Sequence, residues 1–328
     1  MPPVTHGADP LAAPPPLPSL QRGPEPARIG NVLIGTASWT EKTLLASRTF
    51  YPPSVTTAEQ RLRYYVRHFP VVEVDATYYA LPSLENSRRW VERSGPDFVF
   101  GVKAYAALTQ HPIEPLRLDR DLQSALPADL RRRKSVYVRD LPPDVLDQVW
   151  LRFRSALAPL ESAGKLAYVL FQMPRWFVPS RESAAYLEHA AERFAGVRVA
   201  IEFRQQGWMT ERRAPRTLDF LRGAGLVYVS VDEPQGTAAS VPPLAAATSE
   251  ALSVVRFHGR RVETWTRPGV STTERFRYLY RPEELREWVG RIRDLAGKSR
   301  QVHVLMNNCY RQYGVENAKD LAGLLAAS

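Results

Sequence analysis

The chain has 328 residues, 44% of them hydrophobic, and a formal net charge of +10. Its pI is near 9.8, so there is enough chain for one barrel-sized domain with a buried core, and the charge favours anionic partners. One cysteine, Cys309, excludes an intramolecular disulfide framework and a cysteine zinc cluster.

Met1 to about Arg28 is rich in proline and alanine, including Pro14, Pro15 and Pro16. It lacks the large apolar groups that offset ordering entropy, which predicts a disordered tail over residues 1–28 and a single domain over 29–328. A proline-motif ligand is the alternative reading of this tail. No basic start leads into an apolar run, and no run approaches the ~18 residues of a membrane span. Neither a secretory signal nor a membrane partner is expected, and a reducing cytoplasm is the expected compartment.

Eight short β-like runs follow, most ending in polar or charged residues. They are Asn31–Gly35, Val71–Asp75, Phe98–Lys103, Leu166–Gln172, Val197–Glu202, Leu226–Asp232, Leu252–His258 and Gln301–Asn307. Helical spacing lies between and after them: Leu62, Tyr65, Val66 and Phe69; Leu187, Ala190, Ala191 and Phe194; Leu285, Trp288, Val289 and Ile292; Ala318, Leu321, Ala322 and Leu325. Pro282 opens the third of these and Gly297 stands past its end. Such alternation predicts an α/β fold, a parallel sheet closed into a (β/α)8, TIM-barrel-like domain with its active site at the strand C-termini.

Two connections depart from an even barrel. A long insert at about 109–144 carries the basic run Arg131–Lys134, and its length predicts a lid or a mobile segment. Residues 232–250 are rich in Pro, Ala and Ser, which predicts a missing or reduced outer helix.

Alternation along each strand puts every second residue on one face. Glu73 shares a face with Asp75, Lys103 with Gly101, Glu202 with Ala200, and His258 with Arg256. With Gln172, Asp232 and Asn307 these residues would gather at the barrel mouth. The competing reading is a satisfied polar core. A lysine in a low-dielectric mouth can act as base or nucleophile, but flanking carboxylates favour Lys103 as a charged clamp on an anion. The loops after the last two strands often hold phosphate in barrels, which draws in Gly259 and Asn308. His258 suits acid–base work. The scattered histidines give no metal-ligand spacing, carboxylate-only magnesium binding stays open, and no glycine-rich nucleotide loop or serine elbow names a cofactor or nucleophile. The basic run, with Tyr105, Tyr137 and Trp176 as exposed stacking surfaces, is either a solvated face or a phosphate-backbone contact.

An ordered series of motifs runs through nearly the whole chain after the tail. It comprises Gly35-Thr-Ala-Ser-Trp39, Phe50-Tyr-Pro52, Val72-Glu-Val-Asp75, Thr77-Tyr-Tyr-Ala-Leu-Pro82, Phe98-Val-Phe-Gly-Val-Lys103, Leu170-Phe-Gln-Met-Pro174 and Ile201-Glu-Phe-Arg204 with Trp208. Val255-Arg-Phe-His-Gly259, Tyr278-Leu-Tyr280, Met306-Asn-Asn308 and Asn317-Ala318 complete it. The series resembles the YecE-like family, also called domain of unknown function 72. That resemblance implies a TIM-barrel-like fold and no particular reaction. It also implies one pocket containing Thr36, Trp39, Glu73, Tyr78, Lys103, Gln172, Glu202, Arg204, Trp208, Asp232, Arg256, His258, Asn307 and Asn317. This chain departs from the family pattern in Gly35-Thr-Ala-Ser-Trp39, where GTSGW is common. It also has Asp75 where an asparagine often follows the glutamate.

The catalytic candidates are therefore Glu73, Lys103, Glu202 and His258. The substrate-binding candidates are Thr36, Trp39, Asp75, Tyr78, Gln172, Arg204, Trp208, Asp232, Arg256, Gly259, Asn307, Asn308 and Asn317. Three functions compete: an enzyme acting on a small anionic or phosphorylated compound, a nucleic-acid-binding or nuclease-like protein, and a non-catalytic ligand-binding barrel.

Overall fold

A computed structural model describes residues 27–327 of the chain. The first twenty-six positions of the expected tail lie outside the described residues. The last two belong to the barrel, which corrects that boundary. Ala27 is buried and its N–H donates to His68 O at 3.2 Å. The short strand β1 (Arg28–Ile29) pairs antiparallel with the strand that follows, turning through Gly30 at φ +58°.

Eight parallel strands form the barrel: β2 (Val32–Ala37), β3 (Val71–Val74), β4 (Val99–Lys103), β5 (Leu166–Gln172), β6 (Val199–Glu202), β7 (Val227–Asp232), β8 (Ser253–Phe257) and β9 (Val302–Met306). Each pairs with the next in chain order, and β2 pairs with β9 from Val32–Val302 to Thr36–Met306, closing the sheet. This is the expected (β/α)8, TIM-barrel-like fold. Strands covered on both faces favour continuous Val, Ile and Leu runs, and every residue of β2, β3, β6, β7, β8 and β9 is buried.

Among the described residues seven helices of eight or more residues surround the sheet, with one in every gap except that between β7 and β8. Local chemistry sets their ends. Thr57 and Gln60 form a capping box ahead of Ala58–Tyr65, Ser83 caps Leu84–Arg93 and Ser180 caps Arg181–Arg193. Pro282 opens Pro282–Ala296, which buries Leu285, Trp288, Ile292 and Leu295 against the sheet. The stripe that starts at Leu62 outruns its helix, because Val66 is the C-cap and Phe69 packs beyond it.

The β7–β8 gap has no helix, as the composition of 232–250 predicts. The chain instead runs back along β7, where Thr248 Oγ1 accepts from Tyr228 N and donates to Leu226 O. The insert, expected as a lid or a mobile segment, is folded. Leu118, Leu122, Leu126, Leu130, Val136 and Leu141 are buried in it, and Ile113 and Val136 exchange backbone hydrogen bonds at 2.9 Å. Arg152 of the following helix ties Asp119 and Asp121 to the barrel wall. Its apolar spacing supports a folded cap over the β4 end.

Gly35, the first residue of the Gly35–Trp39 motif, has a packing reason. A Cβ there would stand 2.0 Å from the Val71 carbonyl oxygen of β3, which only backbone movement can relieve. Gly35→Ala is expected to lower the unfolding free energy by about 1–3 kcal/mol in urea titration. An unchanged midpoint and slope would show that β2 and β3 have room to separate.

Candidate functional site

Arg256 on β8 crosses the barrel interior to Glu73 on β3, two strands that are not neighbours in the sheet. Its Nη2 donates to Glu73 Oε1 at 2.5 Å, and its Nη1 donates to Glu202 Oε2 at 2.5 Å and to Gln172 Oε1 at 3.3 Å. All three charged side chains are fully buried. Below them Tyr168 Oη donates to Glu73 Oε2 at 3.0 Å. Gly101 makes room for that tyrosine, since a Cβ there would fall 2.4 Å from Cζ of its ring.

A second layer stands above Arg256. Glu202 Oε1 accepts from Arg204 Nε at 2.6 Å and lies 3.2 Å from His258 Nε2. Asn307 Nδ2 donates to His258 Nδ1 at 2.9 Å, which leaves the imidazole proton on Nε2 facing Glu202. Arg204 Nη1 reaches Glu233 Oε2 at 3.2 Å, and Glu233 Oε1 accepts from Val241 N at 2.7 Å. On the opposite side Lys103 Nζ lies 3.7 Å from Asp75 and 4.8 Å from the centroid of the Tyr78 ring.

Over this network opens a pocket of about 300 Å³. Its wall carries Lys103, Arg175, Arg204, Arg275, Gln172 and His111, together with the rings of Tyr78, Tyr79, Trp176, Trp265 and Phe276. No aspartate or glutamate lines it. Arg204 lies against the Trp265 face, 4.7 Å from its centroid. The Trp265 indole N–H has no hydrogen-bond partner among the described residues.

Burial and charge separate the acids. Burial pushes Glu73 up to about 7, outweighing the attraction of Arg256, and Asp75 adds to the rise. Glu202 is just as buried, yet Arg256, Arg204 and His258 together hold it well below the usual carboxylate range. Burial raises Glu233 to about 8 against the pull of Arg204. His258 is pushed down to about 3, first by burial and then by Arg204, with Glu202 opposing, so it is a neutral donor at physiological pH. His111 falls to about 3 for the same first reason, helped by Lys103 and Arg204. Two carboxylates on one guanidinium thus hold protons very differently, the pattern that divides acid and base roles in barrels and elsewhere.

Ten of the predicted residues join this network: Glu73, Asp75, Tyr78, Lys103, Gln172, Glu202, Arg204, Arg256, His258 and Asn307. Of the four catalytic candidates only Lys103 lines the pocket. Glu73, Glu202 and His258 lie beneath its floor.

Seven others stand elsewhere. Val231 pairs with the inward-facing Arg256, so Asp232, paired with Phe257, faces the helix side. There it accepts from Trp288 Nε1, Tyr280 Oη and Arg260. Gly259, at φ +88°, donates its N–H to Tyr280 Oη, and a Cβ there would meet Tyr278 at 2.5 Å. Packing, not phosphate, explains it. Asn308 and Asn317 bond each other and clamp the backbone of Tyr278 and Tyr280. Thr36 bonds Tyr65 Oη, Trp39 packs edge-on to Trp90, and Trp208 stacks between Phe177 and Phe203. Tyr105, read as an exposed stacking surface, is buried, whereas Tyr137 and Trp176 are exposed.

Sequence reasoning missed Glu233, one residue past Asp232, whose inward parity with Val231 was the available signal. Trp265 and Arg275 end the short helices Val262–Trp265 and Thr272–Arg275, Phe276 follows the second and Arg175 lies in a loop, so none carries a readable periodicity. Among the described residues no group of three or more His, Cys, Asp or Glu side chains is placed to hold a metal ion. No described helix is long and apolar enough to cross a membrane.

The raised acids give a pH dependence. A carboxyl with its folded pKa raised contributes stability that is fully present below its ordinary value of 4.5 and is lost as pH rises through the folded value, here about 8 for Glu233. Glu233→Gln removes that dependence. Relative to the variant, wild type is expected to lose urea stability between about pH 5 and about pH 8. A gap that stays constant, or moves the other way, would mean Glu233 is ionised in the folded protein throughout.

The chain is 32% identical over 297 residues to the UPF0759 protein YunF of Bacillus subtilis (strain 168), covering 90% of this chain and 94% of that protein. A solved structure of a DUF72 family protein from Thermotoga maritima MSB8 superposes with a TM-score of 0.69 at 26% identity, covering 90% of this chain and 99% of that one. One from Enterococcus faecalis V583 gives a TM-score of 0.71 at 24% identity, covering 90% and 96%. Residues 33–328 match the family described as "Protein of unknown function DUF72", and the chain belongs to that family.

Proposed function

We propose that the barrel mouth binds a small compound bearing a phosphate or carboxylate group, and that the protein is an enzyme acting on it. The observation that carries this reading is the composition of the pocket wall: four cationic side chains and no acid. The nearby acids offset those cations only in part, with Asp75 3.7 Å from Lys103. Glu202 is already shared by Arg256, Arg204 and His258. Glu73 and Glu233, raised to about 7 and about 8, hold protons near neutral pH. An anion between Lys103, Arg204 and Arg275 would receive charge-assisted hydrogen bonds in a partly desolvated site, where they are strongest. The rings of the wall suit the apolar remainder of such a ligand.

Roles within the site follow from depth. Lys103 and Arg204 would touch the anion. Glu202, His258 and Glu233 would hold the Arg204 guanidinium in place, and Asn307 would fix the imidazole tautomer. Glu73, titrating near neutrality, would adjust the charge beneath Lys103 as a proton moves in the pocket above.

A second reading, nucleic-acid binding, is favoured by one observation: Arg131–Lys134 is exposed throughout, and Tyr137 and Trp176 are exposed with ring centroids 6.2 Å apart.

Calorimetric titration with phosphate, a sugar phosphate and a short oligonucleotide separates the two. The expected result is binding of a small phosphate compound that weakens about tenfold or more, ~1.4 kcal/mol, in Lys103→Ala and in Arg275→Ala. No binding of any small anion, or binding by both variants as tight as that of wild type, would overturn the anion reading. Oligonucleotide binding with a steep salt dependence would favour the second.

A further inference from the structure

A second cationic cavity lies on the outside of the barrel, behind β6. It is a groove of about 610 Å³ between the helices Arg181–Arg193 and Ala214–Gly223, and the side chains of Arg181, Arg212, Arg213 and Arg216 line it above Trp208 and Phe220. No acidic residue lines it.

What sets these arginines apart is that four without an ion pair line one cavity that no acid lines. Some surface arginines elsewhere sit on carboxylates three or four residues away, as in Arg63–Glu59, Arg89–Glu85, Arg133–Asp129 and Arg286–Glu283, and others, such as Arg88, Arg131 and Arg132, are unpaired among the described residues but scattered. Among the described residues none of the four groove arginines forms an ion pair, although acids are near them in sequence. Asp219, three residues after Arg216, pairs with Arg222 instead. Glu211, adjacent to Arg212, and Glu182, adjacent to Arg181, make no ion pair with any of the four.

Four like charges around one concavity repel one another, and solvent screening reduces but does not remove that repulsion. A multiply charged anion seated among them relieves it, and guanidinium groups suit bidentate contact with phosphate oxygens. The geometry points to a second anion site in this groove, separate from the mouth, that takes a small polyvalent anion of the diphosphate class. The half-apolar floor under the arginines, with Trp208 and Phe220, accommodates an uncharged portion of such a ligand.

The probe is inorganic pyrophosphate, titrated calorimetrically into the full-length protein carrying Lys103→Ala and Arg275→Ala, so that the mouth is weakened and binding that remains is assigned by the groove variants. One pyrophosphate per chain is expected. The double substitution Arg213→Glu with Arg216→Glu, at exposed positions, is expected to weaken it at least tenfold. Arg222→Glu, on the same helix but outside the groove, makes half that charge change and is expected to leave affinity within about twofold. Thermal unfolding checks that each variant is folded. Absence of pyrophosphate binding overturns the inference. So does equal weakening by Arg222→Glu, which would mean general surface charge. Tighter binding of a short oligonucleotide through the same arginines would also overturn it, by assigning the groove to a nucleic-acid backbone.

Discussion

The guanidinium of Arg256 is the constraint on which the mouth of this barrel depends. It is fully buried, and a buried cation is tolerated only where carboxylates and further hydrogen bonds compensate its lost hydration. Glu202 from β6 supplies a full negative charge, Glu73 from β3 one that titrates near neutrality, and Gln172 from β5 a further acceptor. Those contacts tie strands on opposite sides of the barrel. Removing one partner of such a cluster typically costs about 3–5 kcal/mol, because the remaining charge is stranded without water. An apolar plug would fill the space at least as well, so stability alone does not account for the cluster.

What the cluster does is sort charge by depth. Acids sit below, where burial raises Glu73 and Glu233 and where three cationic or donor groups hold Glu202 ionised. Cations sit above, with Arg204 braced by Glu202 and Glu233 and laid against Trp265. Bracing matters more than charge here. A guanidinium held at two edges would lose little freedom on meeting the proposed anion, so that contact would be preorganised. The neutral His258, oriented by Asn307, belongs to the same support.

The eight strands were legible because nearly every apolar run ends in a polar residue, and strand bounds fall within two residues of those expected. Parity along a strand placed Glu73, Lys103, Glu202 and Arg256 together, since a period of two is enough once one inward residue is known. Parity alone could not choose between the adjacent acids Asp232 and Glu233. That choice rests on the β7–β8 register, which pairs Val231 with Arg256 and is a property of the closed sheet. Motif membership misled in a different way. Thr36, Trp39, Trp208 and Asn317 serve packing and backbone clamping, and a motif does not say toward which side a residue points; Gly259 and Asn308, expected from loop position, serve the same ends. The aromatic wall was invisible because Trp265 and Phe276 sit at the ends of two short helices, too short to show a periodicity. His111 reaches the pocket through an insert whose burial pattern, not its length, marks it as folded.

The central claim is that the mouth is an anion site assembled from Lys103, Arg204 and the rim arginines. A crystal structure of the protein soaked in tungstate, a heavy phosphate analogue with a strong anomalous signal, tests it most directly. The account predicts an anomalous peak within hydrogen-bond reach, about 3 Å, of Lys103 Nζ and the Arg204 guanidinium. Ordered tungstate elsewhere with an empty mouth, or a peak in the mouth that persists in Lys103→Ala at equal strength, would contradict it.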